Sequence, residues 1–367
     1  MHKDRMAFPL DIVKRQLNQM THRIYSLPIL VLMPHSRCNC RCLMCDIWKA
    51  NANKQEISKE DLGPHLGVFR KFRVRQVLLS GGEALMHSNL WRLCELLREM
   101  SVKISLLSTG LLLKRHSMEI IRWCDEVIVS LDGSRLIHDK IRNVPQAFDR
   151  LAEGVGVLKA SKSDYRITGR CVLHRENYFD LPNIIDAAHE IGLDQISFLA
   201  ADVSTTAFNR PKKWDDKQVA EVALKPTEVM QFRQIIERVI SDYALDFESG
   251  FVAESPRKIR RLPRYFAALN QDDNFPEPIC NAPWVSTVIE ADGTVRPCFF
   301  HQPFGNIHDR SLDQVLNSEN AIAFRRKLDV KSNPICQKCT CSLFLRPGSF
   351  LKPVNRTVDT GKSPAYA

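Results

Sequence analysis

The chain lacks any apolar run long enough to cross a bilayer. Its longest, such as Leu27 to Met33, fall far short of the roughly 20 residues that a spanning helix needs. Its start, Met1 to Leu10, has no continuous hydrophobic stretch followed by a small-residue cleavage site, so no secretion signal is read there. Evenly spread cysteines are also missing. The 12 present are clustered, which argues against a disulfide framework and for metal. Basic residues outnumber acidic ones, 52 to 42, for a net charge of +10. The excess is scattered over Arg70–Arg75, Arg210–Lys213 and Arg257–Arg264, with no interleaved aromatic module of the kind that binds RNA. It is read as solvated helix faces. Neither nucleic acid nor a membrane is expected as a partner, and the expectation is a cytoplasmic chain kept reduced. Residues 1–27, ahead of the first strand, are too short for a recognition domain of their own; within them Phe8, Ile12, Val13, Leu17 and Met20 are expected to line one face of a helix packing on the main domain. With 367 residues and 44% apolar content, the chain can form one large domain and one small one.

What is present begins with Cys38-x3-Cys42-x2-Cys45, directly after an apolar run. Three thiolates at this spacing can hold one face of a cubic 4Fe–4S cluster and leave its fourth iron open to a small chelating molecule. A structural zinc site is the competing reading, with Cys42-x2-Cys45 as one knuckle and His35 close by. Apolar, strand-like runs occur at Ile29–Met33, Gln76–Leu79, Lys103–Leu107, Glu126–Ser130, Arg166–Leu173 and Gln195–Leu199. Amphipathic helical stretches lie between them, at Asn89–Met100 and at Leu181–Ile191, the latter closed by Gly192. Alternating strands and helices imply a parallel sheet with crossover helices. Periodicity alone does not separate a partial barrel from an open doubly wound sheet.

Three motifs in this order resemble the radical S-adenosylmethionine (SAM) superfamily: the cysteine triplet, Ser80-Gly81-Gly82-Glu83 after the second strand, and Val129-Ser130-Leu131-Asp132-Gly133 after the fourth. The likeness runs over roughly residues 28 to 345. It implies an α/β fold: a partial (β/α)6 TIM-like barrel with a small C-terminal β-hairpin/helix Fe–S module. It also implies that SAM chelates the open iron and is cleaved to a 5′-deoxyadenosyl radical. By this resemblance Cys38, Cys42 and Cys45 ligate the catalytic cluster. Gly81 and Gly82 let the backbone approach the methionine end of SAM, and Glu83 or nearby carbonyls accept from its ammonium. Ser130 binds the carboxylate or ribose, Arg170 pairs with the carboxylate, and Met44, with Trp48 beyond it, packs near adenine. Ser108-Thr109-Gly110 stands where relatives carry a T-N-G-like segment. Cys40 does not fit the family spacing. Cys94, Cys124 and Cys171 read as core thiols, and His35, His87 and His138 as local hydrogen-bonding groups.

Toward the C-terminus, Val285–Ile289 and Thr294–Arg296 flank Asp292-Gly293 as a β-hairpin. Cys280, Gly293-x4-Cys298 and Cys336-x2-Cys339 resemble the twitch or SPASM modules of the same superfamily. A full SPASM module has seven cysteines, and only five occur here. The resemblance therefore implies one auxiliary 4Fe–4S cluster on Cys280, Cys298, Cys336 and Cys339, with Cys341 a free thiol or an alternative ligand. Four cysteines would equally suit zinc. The expected organisation is an extension (1–27), a barrel core (28–203), an irregular insertion with connecting helices (204–270), the auxiliary module (271–345) and a tail (346–367). Within the insertion, Pro226–Ile240 reads as a helix, and Arg257–Leu269 as one broken at Pro263.

The expected function is radical SAM chemistry on a small metabolite of the sugar, cyclitol or nucleoside type, with flavodoxin or ferredoxin as electron donor. Peptide-modifying relatives often carry an N-terminal leader-binding domain, which tilts the expectation away from them. A peptide maturase is the alternative, and a non-catalytic metal scaffold the second. No general base stands out; Asp132, Asp292 and His301 lie near motifs.

Overall fold

The computed structural model describes residues 3–346. Nine strands form one sheet: β1 (Ile29–His35), β2 (Gln76–Gly81), β3 (Lys103–Ser108), β4 (Glu126–Ser130), β5 (Ile167–Leu173), β6 (Gln195–Ala200), β7 (Ser286–Ile289), β8 (Thr294–Arg296) and β9 (Gly305–Asn306). Their order is β6-β5-β4-β3-β2-β1-β7-β8-β9, so the sheet is open at β6 and β9 rather than closed. The strands from β6 across to β7 pair in parallel, and β8 and β9 add antiparallel. The expected strands start within one residue of the observed ones, which extend up to two residues further, where ladder bonds continue past the apolar run.

Side chains alternate across the strands. Leu30, Leu32, Val77, Leu79, Ile104, Leu106, Val127, Val129, Ile167 and Cys171 pack beneath the crossover helices in the main core. The intervening positions line the other, concave face and are partly polar: Ser105 donates to Glu126, and Arg170 Nε reaches Ser197 Oγ at 3.5 Å.

Three expectations are corrected. The Lys3–Thr21 helix was expected to bury Phe8, Ile12, Val13, Leu17 and Met20. Val13, Leu17 and Met20 are instead exposed, Ile12 is half-buried, and Arg15 and Asn18 are buried; the side chain of Phe8 lies outside the described residues. Asn18 explains the choice of face, because its amide donates to the carbonyls of Ser26 and Trp284 at 2.6 and 2.7 Å. The break in the basic helical stretch falls at Arg260, between Pro256–Ile259 and Arg261–Leu269. Pro263 is absorbed in the first turn of the second helix, where its missing N–H costs no hydrogen bond. Finally, the segment after β6 is not wholly irregular: Asp215 caps a helix at Asp216–Val222 through a capping box. The expected tail lies outside the described residues apart from its first residue.

The C-terminal unit is anchored to the N-terminal one. Arg325 is buried with no carboxylate partner among the described residues and donates to the carbonyls of Pro283, His22 and Leu316 at 2.9, 2.7 and 2.6 Å. Asn317 exchanges hydrogen bonds with the backbone of Ile24. Among the described residues no helix is long and apolar enough to cross a membrane.

Candidate functional site: two cysteine loops

The first loop leaves β1 at His35 and is fixed at its base. A Cβ on Gly82 would stand 2.0 Å from the Arg37 carbonyl oxygen, so only glycine fits there. The next residue, Glu83, donates its N–H to the same carbonyl at 2.8 Å. His35 Nδ1 accepts from Arg37 N–H, and Asn51 bonds both the N–H and the carbonyl of Cys38, each at 2.9 Å. Gly82 thus makes room for the loop's own backbone.

Cys38 and Cys45 are half-buried, while Cys40 and Cys42 are buried. The Cys40 thiol lies between those of Cys38 and Cys42 and hydrogen-bonds to both, which with burial pushes it upward. The Cys42 thiol is drawn down to about 7, chiefly by the Cys40 hydrogen bond and further by Arg142. Among the described residues no group of three or more His, Cys, Asp or Glu side chains is arranged to hold a single metal ion.

Two buried arginines grip this loop, each held by an aspartate that follows a strand. Arg142 places Nη2 2.6 Å from Asp132 Oδ2, Nη1 3.5 Å from Cys42 Sγ, and its own carbonyl 3.1 Å from Arg41 N–H. Arg210 pairs with Asp202 at 2.8 Å, donates to the Met44 carbonyl at 3.2 Å and lies 3.8 Å from the Trp214 ring. Trp214 Nε1 in turn donates to Asp46 at 3.1 Å. The segment after β6 therefore covers the loop, and Arg210 is an internal strut rather than part of a solvated patch. A cavity of about 210 Å³ opens here between Cys42, Trp48, Trp214 and Glu221.

The second loop set lies around the hairpin of β7 and β8. Gly293 turns it at φ +82°. Cys280, Cys298, Cys336, Cys339 and Cys341 are all half-buried. Cys280 Sγ accepts from Ala282 N–H at 3.4 Å, and His301 Nε2 stands 3.3 Å from Cys336 Sγ. Burial pushes the Cys298 thiol up to about 11, with smaller upward pushes from Cys280 and Cys341, so Cys341 belongs to this group in space.

Comparison with known proteins decides the family. Residues 32–188 match the radical SAM superfamily, and residues 280–340 match an iron–sulfur cluster-binding domain, SPASM. The chain belongs to the radical SAM superfamily. It is a radical SAM enzyme with a C-terminal SPASM/twitch-type module, and its cofactors are SAM and catalytic and auxiliary 4Fe–4S clusters. It is 24% identical over 300 residues to an Fe-coproporphyrin III synthase of Methanosarcina barkeri (strain Fusaro / DSM 804), covering 78% of this chain and 73% of that protein. It is 23% identical over 331 residues to the antilisterial bacteriocin subtilosin biosynthesis protein AlbA of Bacillus subtilis (strain 168), covering 87% of this chain and 66% of that protein. In fold it resembles the crystal structure of Streptococcus suis SuiB bound to precursor peptide SuiA, with a TM-score of 0.60, 15% identity and coverage of 92% of this chain and 77% of that one.

Other residues singled out in the radical SAM motifs are placed as follows. Glu83 is fully buried, and its carboxylate is consumed internally. It accepts from Leu85 N–H, both hydrogen-bonding groups of Thr109 and the hydroxyl of Ser108, at 3.1, 2.7, 2.6 and 3.1 Å. The side chain is thus tied into the turn that follows β2. It also gives Ser108 a structural partner. Met44 packs into a small core with Cys40, Cys42, Leu111 and Val203. Ser130 and Arg170 are half-buried register partners on the concave face.

Of the three candidate bases, Asp132 is sealed. Its Oδ1 accepts from Val172 N–H at 2.9 Å and its Oδ2 faces Arg142. Asp292 caps the hairpin turn through Thr294 N–H, and His301 sits on Cys336. His35, His87 and His138 make local hydrogen bonds, and Cys94, Cys124 and Cys171 are buried in the core. Sequence reading missed Asn51, Arg142 and Asp202. Of these only Arg142 left a trace, as the charged end of an amphipathic helix that starts just after the Ser-Leu-Asp-Gly motif.

Proposed function

We propose that this enzyme modifies a peptide. The observation that carries the reading is the extent of the likeness to AlbA, whose name assigns it to bacteriocin biosynthesis and which matches across 87% of this chain. The SuiB fold, recorded with its precursor peptide, supports the same substrate class. The open sheet suits it too, since an extended chain can enter a half-barrel from the side. The small-metabolite expectation becomes the second reading, favoured by the likeness to the Fe-coproporphyrin III synthase.

In this proposal Cys38, Cys42 and Cys45 hold the catalytic cluster, and Cys280, Cys298, Cys336 and Cys339 the auxiliary one. The residues suit such a group: the triplet stands on a loop immobilised by Gly82, Asn51 and two buried cations, which a cluster carrying several thiolates requires. Once bound, the catalytic cluster supplies the electron that splits SAM into methionine and a 5′-deoxyadenosyl radical. Ser130 and Arg170, on the concave face, orient the SAM carboxylate. Gly81, at φ +103°, turns the chain out of β2 toward the mouth. Glu83, Ser108 and Thr109 hold that turn rigid. A cytoplasmic electron donor of the flavodoxin or ferredoxin type completes the system.

The test is anaerobic. The reconstituted protein is given SAM, reductant and either the peptide or the small-molecule fraction of a cell extract, and 5′-deoxyadenosine is quantified. Stimulation by the peptide fraction is expected. Stimulation confined to the small-molecule fraction would overturn the peptide reading in favour of the second.

A further inference from the structure

The family motifs account for the three thiols and include Asp132, but not the ion pair it forms with Arg142 beneath them. Arg142 ends the Arg135–Arg142 helix, and its guanidinium lies under the cysteine loop. One arm points at Cys42 Sγ, 3.5 Å away, and the other at Asp132 Oδ2, 2.6 Å away. Both side chains are almost completely shielded from water, at 8% and 0% exposure. Arg142 is also fixed through its main chain, since its carbonyl accepts Arg41 N–H. Asp132 is held through Val172 N–H on its free oxygen, and through His138 and Asn177 on its backbone. The charges can therefore neither rotate away nor be replaced by solvent.

We propose that Arg142 is a positioning residue that sets the reduction potential of the cluster held by Cys42, with Asp132 as its counterweight. This rests on the assignment of Cys42 as a cluster ligand. Reduction adds one negative charge at the cluster. A fixed cation beside a ligand sulfur favours that state, and the anion behind it opposes it. In a buried setting neither effect is screened as it would be at the surface. The cation is nearer, because Arg142 touches the sulfur and Asp132 is reached through it. Two charges of opposite sign on one axis give variants of opposite effect, which packing alone does not.

The full-length protein is reconstituted as wild type and as Arg142→Gln, Arg142→Lys and Asp132→Asn. Iron and sulfide are counted, and the midpoint potential is read from the electron paramagnetic resonance signal that changes on SAM addition. Arg142→Gln is expected to lower the reduced-to-oxidised ratio at a fixed potential about tenfold, a downward shift of ~59 mV for one electron. Asp132→Asn shifts it upward, and Arg142→Lys stays near wild type. Fully loaded variants with unmoved potentials, or with Gln and Asn variants moving the same way, would overturn the proposal in favour of simple packing. If Arg142→Gln retains no iron, the other two variants decide, and Asp132→Asn at the wild-type potential overturns it. Wild type that holds no more iron than its Cys38/Cys42/Cys45→Ala variant defeats the ligand assignment itself, which a loaded cluster with an unmoved potential does not.

Discussion

The two cysteine loops lie on one sheet but are embedded differently. At the first, Cys42 is buried and faces a guanidinium, and the backbone at Met44 is held by a second buried arginine. At the second, every thiol is half-buried and the donors are neutral: the N–H of Ala282, and the imidazole of His301, which burial keeps uncharged. A set of thiolates removed from water needs fixed counter-charge, whereas one still in contact with water can be balanced by solvent and dipoles. The more deeply buried loop is therefore built from charge pairs supplied by distant strands, and the half-buried one from local turns.

This contrast can be broken most severely by removing ligands. Replacing Cys38, Cys42 and Cys45 by Ala should abolish 5′-deoxyadenosine formation and remove roughly half of the bound iron, as expected for two clusters of equal size. Replacing Cys280, Cys298, Cys336 and Cys339 should remove the other half. Loss of all iron from either variant would mean that the sites are not independent. A narrower probe is Gly82→Ala. Its Cβ collides with the Arg37 carbonyl, so a cost of about 1–3 kcal/mol and iron loss confined to the first loop are expected. Gly156→Ala, with nothing within 4 Å of the new Cβ and a helical backbone, should instead stabilise by about 0.4–1 kcal/mol. Equal melting shifts of the two variants would contradict the geometry.

The mildest probe is acid. Burial holds the His174 imidazole down to about 4. Its folded value lies below its unfolded one, so its neutral form contributes stability above about pH 6.5, lost as pH falls toward 4 at no more than about 1.4 kcal/mol per pH unit. Denaturant titrations of the metal-free protein between pH 7 and 5 should show this slope, and His174→Gln should flatten it. An unchanged slope in the variant would assign the acid response to other groups.

Much of the frame was legible in the sequence. The parallel strands announced themselves as apolar runs, and the hairpin was marked by Asp292-Gly293. The cysteine spacings were legible because they are local. What escaped is what depends on partners far along the chain. Periodicity marked an apolar stripe on the first helix but could not say which face is covered. The covered face is the one whose Asn18 bonds Trp284. Asp132 looked like a candidate base because a carboxylate beside a motif gives no sign of whether an arginine faces it. The partners of Glu83 were hidden in the same way: Ser108 ends the next strand and Thr109 follows it, and their hydroxyls carry no pattern.

One feature of the sheet governs how the protein can be made. Leu30 pairs with Val77 on one side and with Thr287 on the other. At about 5–20 residues per second, the ribosome takes on the order of ten seconds to a minute to pass from the first of these partners to the last. During that interval the strand that leads into the first cysteine loop is an open edge, able to recruit another chain. A fragment that stops before Ser286 is therefore not a smaller enzyme but a template for aggregation.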